Sequence, residues 1–257
     1  MDLGLSGRPA LVLGSTSGLG LATGRQLARE GAKVVFCGRR GQLAEEAAAE
    51  FEHCLGVTLD LSDPGSVAAA IAAGRAAFGP PDVVVLNSGG PPAGSASQVA
   101  VGSLLGNLET MLFAQLRVVE AVLPDMLERG WGRIAAIGSS GVRRPIPHLA
   151  QSNVARAALA AYLKSLAHET ADRGVTVNMI NPGRIDTSRV AELDAAAAAR
   201  TQRPVSAIRE ESQAGIPAGR YGRSAEFADV VTFICSERAS YVTGTQIDVD
   251  GGASRSL

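Results

Sequence analysis

Short apolar runs alternate with longer amphipathic runs along most of the chain. Ala10–Leu13, Lys33–Cys37, Leu55–Leu59, Asp82–Leu86, Arg133–Ile137, Val175–Ile180 and Gln246–Val249 read as strands. Helices are predicted between them. Leu19–Glu30 is closed by Gly31, Gln42–Phe51 follows the second strand, and Pro64–Phe78 carries proline in its first turn. Two further helical segments lie between Ser97 and Glu128, and a long one spans Leu149–Arg173. Asp82–Leu86 is apolar throughout after its first residue. A strand of that kind between helices is buried on both faces, which calls for a parallel sheet. The pattern therefore predicts a doubly wound α/β fold with a seven-stranded parallel sheet, in one domain over residues 1–257. Ligands in such a fold bind beyond the strand C-termini. Ser188–Gly219 breaks the alternation. It is alanine-rich, contains Arg200, Arg203 and Arg209, and reads as one or two inserted helices. It is either a lid over the ligand crevice or a solvated hairpin without a gating role.

Composition narrows this little. The chain has 257 residues and a net charge of −1, so no global attraction to nucleic acid or an anionic membrane is expected. Cys37, Cys54 and Cys235 lack metal-ligand spacing and lie in apolar runs. Inert buried thiols, no metal site and a cytoplasmic location are expected. No run is long enough to span a bilayer.

The first candidate chemistry is Gly14-Ser15-Thr16-Ser17-Gly18-Leu19-Gly20, between the first strand and the first helix. Gly14 permits a tight turn and Gly18 a close backbone approach to a pyrophosphate. Gly20 permits close helix–strand packing, and the helix N-terminus faces the phosphates. This turn, in a Rossmann-type setting, resembles that of the short-chain dehydrogenase/reductases, and the resemblance covers nearly the whole chain. It includes Asn87-Ser88-Gly89-Gly90, Asn107, Ser139, Pro182-Gly183-Arg184-Ile185-Asp186-Thr187 and Asp248-Val249-Asp250-Gly251-Gly252. The resemblance implies that Asp60, with Leu61, lies at the adenine, and that Asn87 and Gly89 lie along the cofactor. It implies that Pro182, Gly183, Ile185 and Thr187 hold the nicotinamide amide. NAD-using members tend to carry Asp where this chain has Gly38. Here Arg39 and Arg40 follow instead, and no carboxylate repels a 2′-phosphate. NADP(H) is the expected cofactor.

The resemblance fails at the chemical centre. Family members place Tyr-x-x-x-Lys thirteen residues after the serine matched by Ser139. Here Ser152 and Arg156 stand at those positions. An aliphatic hydroxyl is a far weaker acid than a phenol, and a general acid contributes roughly 10²–10⁴-fold. Arg156 replaces lysine as a cation and as a donor to ribose hydroxyls, but it does not titrate. Ser139, Ser152, Arg156 and Asn107 are the candidate catalytic residues. A water held by the two serines, His148, or a group on the substrate itself could supply the proton. For His148, a solvated loop residue is the favoured reading. Tyr162 reads as a packing residue of the long helix. Arg143, Arg144 and Arg184 either attract an anionic or acyl-carrier-linked substrate or form a solvated rim.

Three functions fit. The first is an NADP(H)-dependent oxidoreductase on a carbonyl/alcohol pair, such as a 3-oxoacyl thioester or a secondary-metabolite ketone. The second is a lyase-type or dehydratase-type descendant, and the third a nucleotide-binding subunit without chemistry. By resemblance, pairing through the helices Ser103–Glu128 and Leu149–Arg173 would give a homotetramer or a homodimer.

Overall fold

A computed structural model describes residues 1–255; residues 256–257, the end of the expected domain, lie outside the described residues. Seven strands form one sheet: β1 (Pro9–Val12), β2 (Lys33–Gly38), β3 (Leu55–Thr58), β4 (Val83–Leu86), β5 (Gly132–Ile137), β6 (Val175–Pro182) and β7 (Gln246–Val249). Their order is β3-β2-β1-β4-β5-β6-β7, and every pairing is parallel. The strand order reverses between β1 and β4. A crevice opens at such a point beyond the strand C-termini, because the flanking connections leave in opposite directions.

The side-chain alternation of the strands divides the core in two. Leu11, Val35, Val84, Leu86, Ile134 and Met179 face one layer, under helices α3 (Pro64–Phe78), α5 (Ala114–Arg129) and α6 (Ala150–Thr170). Val12, Val34, Phe36, Val85, Ile137 and Ile180 face the other, under α1 (Gly18–Arg29), α2 (Gly41–Ala48) and α9 (Ser224–Ile234). Gly20, Thr23, Gly24 and Leu27 line the buried stripe of α1. A Cβ on Gly24 would sit 2.5 Å from the Phe36 ring, so glycine sets how closely α1 approaches β2. Asp63 caps α3 by accepting from the Gly65 N–H at 2.8 Å, and Pro64 opens the helix.

The segment between β4 and α5 holds α4 (Val101–Leu108) and then one π-helical turn, Glu109–Phe113. Helices α7 (Ser188–Thr201) and α8 (Val205–Ala214) make up the expected insertion. At the foot of the sheet, just before β5, Trp131 lies between Arg8 and Arg133, whose guanidinium carbons are 3.9 and 4.2 Å from its ring centre. Observed bounds differ from the pattern at a few ends. The second helix stops at Ala48 rather than Phe51, and β6 runs on to Pro182. Helix α9 was not foreseen.

Candidate active site

The turn from β1 into α1 is built to stay open. Gly14 and Gly18 have φ of 58° and 56°, which favours glycine. A Cβ on Gly20 would lie 2.3 Å from the Gly14 carbonyl oxygen and 2.8 Å from Asn87 Nδ2. Asn87, just beyond β4, donates to the Leu13 and Gly14 carbonyls, both at 3.2 Å. It thus fastens the turn to the neighbouring strand across the switch point. Ser15 faces inward: its hydroxyl donates to Val12 O and accepts from Cys37 N, both at 2.7 Å, and its N–H donates to Cys37 O. Its hydroxyl and N–H are therefore engaged within the sheet. Leu19 packs on the core, while Thr16 and Ser17 carry hydroxyls on the outer side of the turn.

Arg40 reaches back over that turn. Its Nη2 donates to Thr16 Oγ1 at 3.1 Å and to Ser17 Oγ at 2.8 Å. Arg39 beside it is exposed, and neither arginine has an ion pair among the described residues. A Cβ on Gly38 would lie 2.8 Å from Thr16 Cγ2, so an acidic residue there would have to displace the Thr16 side chain. Two cations at a tight glycine turn fit a phosphorylated ribose. Asp60, beyond β3, accepts from the N–H and hydroxyl of Ser62 at 2.9 and 2.7 Å. These bonds hold its carboxyl below the usual range, with Arg39 adding a smaller effect. Leu61 packs partly against the core.

The opposite wall begins where β6 ends. Gly183 donates to Val249 O at 2.9 Å, and a Cβ there would sit 2.6 Å from Asp250 Cα. Pro182 and Gly183 thus lock the turn against the end of β7. Ile185 is buried and pairs with Gly222. Thr187 caps α7, accepting from Val190 N at 3.4 Å and donating to Ile185 O at 3.3 Å. Its methyl lies 3.9 Å from a Cβ built on Gly18, so the two walls meet. Gly89 and Gly90 are exposed at the mouth.

Between the walls stand Ser139, Ser152 and Arg156. The Ser139 N–H donates to Asn181 Oδ1 at 3.2 Å, and its hydroxyl accepts from Gly141 N at 3.1 Å. The hydroxyl proton remains available to a ligand. Ser152 is half-buried, and its hydroxyl makes no hydrogen bond among the described residues. Arg156, one turn further along the same face of α6, is 6% exposed. Its Nη1 donates to Ile137 O at 2.5 Å, and its Nη2 to Ser88 O at 3.3 Å. It therefore bridges the C-terminal ends of β5 and β4 instead of reaching out freely. No carboxylate pairs with it among the described residues. Burial lowers its pKa to about 10, so it stays charged at neutral pH.

Asn107 lies off this line. Its Nδ2 donates to Ser103 O at 3.0 Å and to Gln151 Oε1 at 2.6 Å, and its carbonyl accepts from Thr110 at 3.3 Å, within the π turn. His148 is exposed and has φ of 61°, while its carbonyl accepts from Gly94 N at 2.7 Å. It holds two loops together through backbone. At the rim, Arg143 pairs with Asp248 at 3.2 Å and Arg184 with Asp194 at 2.8 Å; Arg144 is exposed. Two of the three expected rim charges are thus neutralised. Tyr162 packs against the core, where burial raises its pKa. Burial also pushes the Cys37 and Cys235 thiols up to about 12, as inert thiols require.

The α7–α8 insertion is tied to the cleft. Asp194 is buried and bonded by both Arg184 and the Tyr221 hydroxyl, the latter at 3.0 Å. Arg189 Nη2 donates to Pro91 O at 2.6 Å, which fixes the first turn of α7 to the loop after β4.

Several residues escaped the reading of the sequence. Asn181 anchors Ser139, and a Cβ on Gly138 would collide with it at 2.2 Å. A polar residue inside the apolar run Met179–Pro182 was the available signal. Gln115 is fully buried, donates to Ser88 Oγ at 3.3 Å, and leaves Oε1 unbonded. Gln151 and Arg189 gave no signal, since each lies among other polar residues.

Residues 14–254 match the family model described as "Enoyl-(Acyl carrier protein) reductase". A 3-oxoacyl-(acyl-carrier-protein) reductase of Salmonella typhimurium is 33% identical over 261 residues, covering 97% of this chain and 98% of that protein. The L-sorbose reductase of Gluconobacter frateurii, solved with NADPH and L-sorbose, superposes with a TM-score of 0.93 at 31% identity over all of both chains. A single-substitution variant of the actinorhodin polyketide ketoreductase, solved with NADPH, gives a TM-score of 0.92 at 31% identity over 97% of this chain and 98% of that one. With the switch-point glycine turn, the Asn87 clasp and the Ser139 strand end all in place, the chain belongs to the short-chain dehydrogenase/reductase family.

Proposed function

We propose that the protein is an NADP(H)-dependent oxidoreductase that interconverts a carbonyl and an alcohol, with an atypical site that lacks the tyrosine acid. Arg40 carries the cofactor reading: it lies over Thr16 and Ser17, beside Gly38, which offers no ribose-binding acid. Relatives solved with NADPH support it. Arg39 and Arg40 would hold the 2′-phosphate, and Asp60 and Leu61 would flank the adenine. Ile185 and Thr187 would hold the carboxamide. When bound, NADPH supplies the hydride.

The chain's own groups do the rest. Ser139 directs its free O–H at the substrate oxygen while Asn181 fixes its backbone. Arg156 supplies a fixed positive charge at the ends of β4 and β5. Ser152 and Asn107 would order a water relay in place of a phenol. Residues 188–219 would act as a lid, latched by Arg189 on Pro91. The substrate is a small carbonyl compound, free or carried on an acyl carrier.

Val101, Leu105, Phe113 and Val154 are exposed apolar residues on or between α4, α5 and α6, which supports pairing of copies through these helices as a homotetramer or homodimer. No helix of the described residues is long and apolar enough to cross a membrane, and a cytoplasmic site of action is proposed. A second reading, a lyase-type enzyme or a nucleotide-binding subunit, is favoured by one observation. Ser152 offers no group able to donate a proton at neutral pH.

Fluorescence titration with NADPH and NADH, followed by NADPH oxidation with ketones and 3-oxoacyl thioesters, tests the proposal. Tighter NADPH binding with turnover that falls in Ser139→Ala and Arg156→Ala is expected. Tight binding without turnover on any carbonyl moves the assignment to the second reading. Absence of binding removes the oxidoreductase reading.

A further inference from the structure

We propose that the groove between α6 and β7 is a second binding site, for a monocarboxylate with a short apolar body, and that its occupancy is transmitted to Ser139. The groove is separate from the cofactor cleft, since none of the residues that wall the cleft lines it. Its volume of about 400 Å³ is that of a small-ligand pocket.

The sheet produces the groove at its last strand. Helix α6 packs on β6, and β7 lies beyond it at the edge. Met179 faces the α6 layer, so its register partner Gln246 faces the same way, as does Asp248 opposite Asn181. The floor is apolar, built from Val142, Ala160, Leu163, Val177 and Met179. Ala160, Leu163 and Lys164 lie on a different face of α6 from the exposed Val154, where pairing of copies is proposed.

The polar wall offers donors without open acceptors. Lys164 Nζ donates to Gly244 O at 2.7 Å and has no carboxylate partner among the described residues. Gly244 permits this seat: its φ is 68°, and a Cβ there would lie 3.1 Å from Nζ. Gln246 Oε1 accepts from Asn181 Nδ2 at 3.3 Å, which leaves the Gln246 amide N–H groups without a partner among the described residues. Arg143 uses Nε on Asp248 at 3.2 Å and Nη2 on Gln246 O at 2.9 Å, and keeps Nη1. Arg143 and Lys164 bring two positive charges and Asp248 one negative, so one positive charge is in excess. A monoanion with an acceptor-only head and an apolar body satisfies the donors, the charge and the floor together. A neutral alcohol would leave the cation unpaired.

Two connections run from the groove to Ser139. Asn181 is wholly buried, donates to Asp248 Oδ1 at 2.9 Å and accepts the Ser139 N–H at 3.2 Å. Arg143 directly follows the turn Ser140–Val142, which Ser139 caps. A carboxylate that draws Arg143 from Asp248 acts on both: it moves the end of the turn and uncovers the partner of Asn181.

Sodium octanoate is the probe, titrated calorimetrically into the full chain with and without saturating NADPH. Acetate supplies the head without the body, and octan-1-ol the body without the head. Octanoate should bind with a dissociation constant on the order of 1 mM or below, and each control at least about tenfold more weakly. Lys164→Met should weaken octanoate about tenfold, whereas Asp248→Asn, which frees Arg143, should tighten it. Circular dichroism of each variant separates loss of the site from loss of the fold. Hydrogen exchange read by mass spectrometry should change at least about twofold over 138–142 when octanoate binds the parent. It should stay unchanged in Lys164→Met at the same octanoate concentration. No uptake of octanoate, uptake indifferent to Lys164→Met, or equal binding of octan-1-ol overturns the site. A groove sealed by a second copy of the chain takes up nothing and overturns it likewise. Uptake with unchanged exchange over 138–142 overturns the coupling. None of these readouts depends on turnover, so they stand or fall apart from the oxidoreductase reading.

Discussion

Arg40 and Gly38, the residues proposed to set cofactor choice, both adjoin Thr16 of the glycine turn. Arg40→Ala removes a charged donor at the proposed phosphate position, an interaction of about 1.5–3 kcal/mol. The dissociation constant for NADPH should rise about 10- to 100-fold, with little change for NADH, as read by fluorescence titration. Gly38→Asp should not simply convert the site to NADH, because its side chain would have to displace that of Thr16, on which Arg40 rests. The sequence disclosed this corner well, since arginines and glycines are visible by type. It disclosed less about partners. Arg156 was expected at a ribose; that it is also anchored to two carbonyls from strands far apart in sequence was not visible. Gln115 went unseen because a glutamine on a helix is ordinarily solvated, and only packing shows that this one is buried.

At the scale of elements, the α7–α8 insertion depends on one buried carboxylate. Asp194→Ala leaves Arg184 and the Tyr221 hydroxyl unpaired. The expected cost is about 2 kcal/mol, below the value for a wholly buried pair because Arg184 is 38% exposed. Urea denaturation and faster amide exchange over 188–214 would register it. Arg189→Ala should raise exchange in the first turn of α7 alone. Helix α9 gives a pH prediction. Arg220 holds the Glu226 carboxyl down to about 2, below its ordinary 4.5. A carboxyl depressed by folding lends stability above pH 4.5 and loses it as pH falls from 4.5 towards 2. Glu226→Gln should flatten that part of the acid-unfolding curve. The strands were legible because seven apolar runs stand between polar stretches. Helix α9 was not, because its apolar face, Phe227, Val231 and Ile234, was not recognised in the stretch between the insertion and the last strand. The π turn at Glu109–Phe113 leaves no mark in a residue pattern.

At the scale of the whole molecule, the exposed apolar residues Phe113 and Val154 make assembly testable. A charged pair of changes, Phe113→Glu with Val154→Glu, should shift sedimentation from an oligomer to a monomer while circular dichroism stays unchanged. Equal sedimentation of variant and parent would place the contact elsewhere. Parallel direction followed from the repeated βα units, but the strand order, with its reversal between β1 and β4, emerged only from the assembled sheet. The single tryptophan of the chain gives this architecture a built-in reporter. Trp131 is clasped by Arg8 and Arg133 at the foot of β5, and the cleft opens at the strand tops. The colour of its emission will therefore follow the release of that cationic sandwich as the sheet comes apart. Denaturation can be watched through the indole at one pole of the molecule, and ligand capture through the nicotinamide at the other.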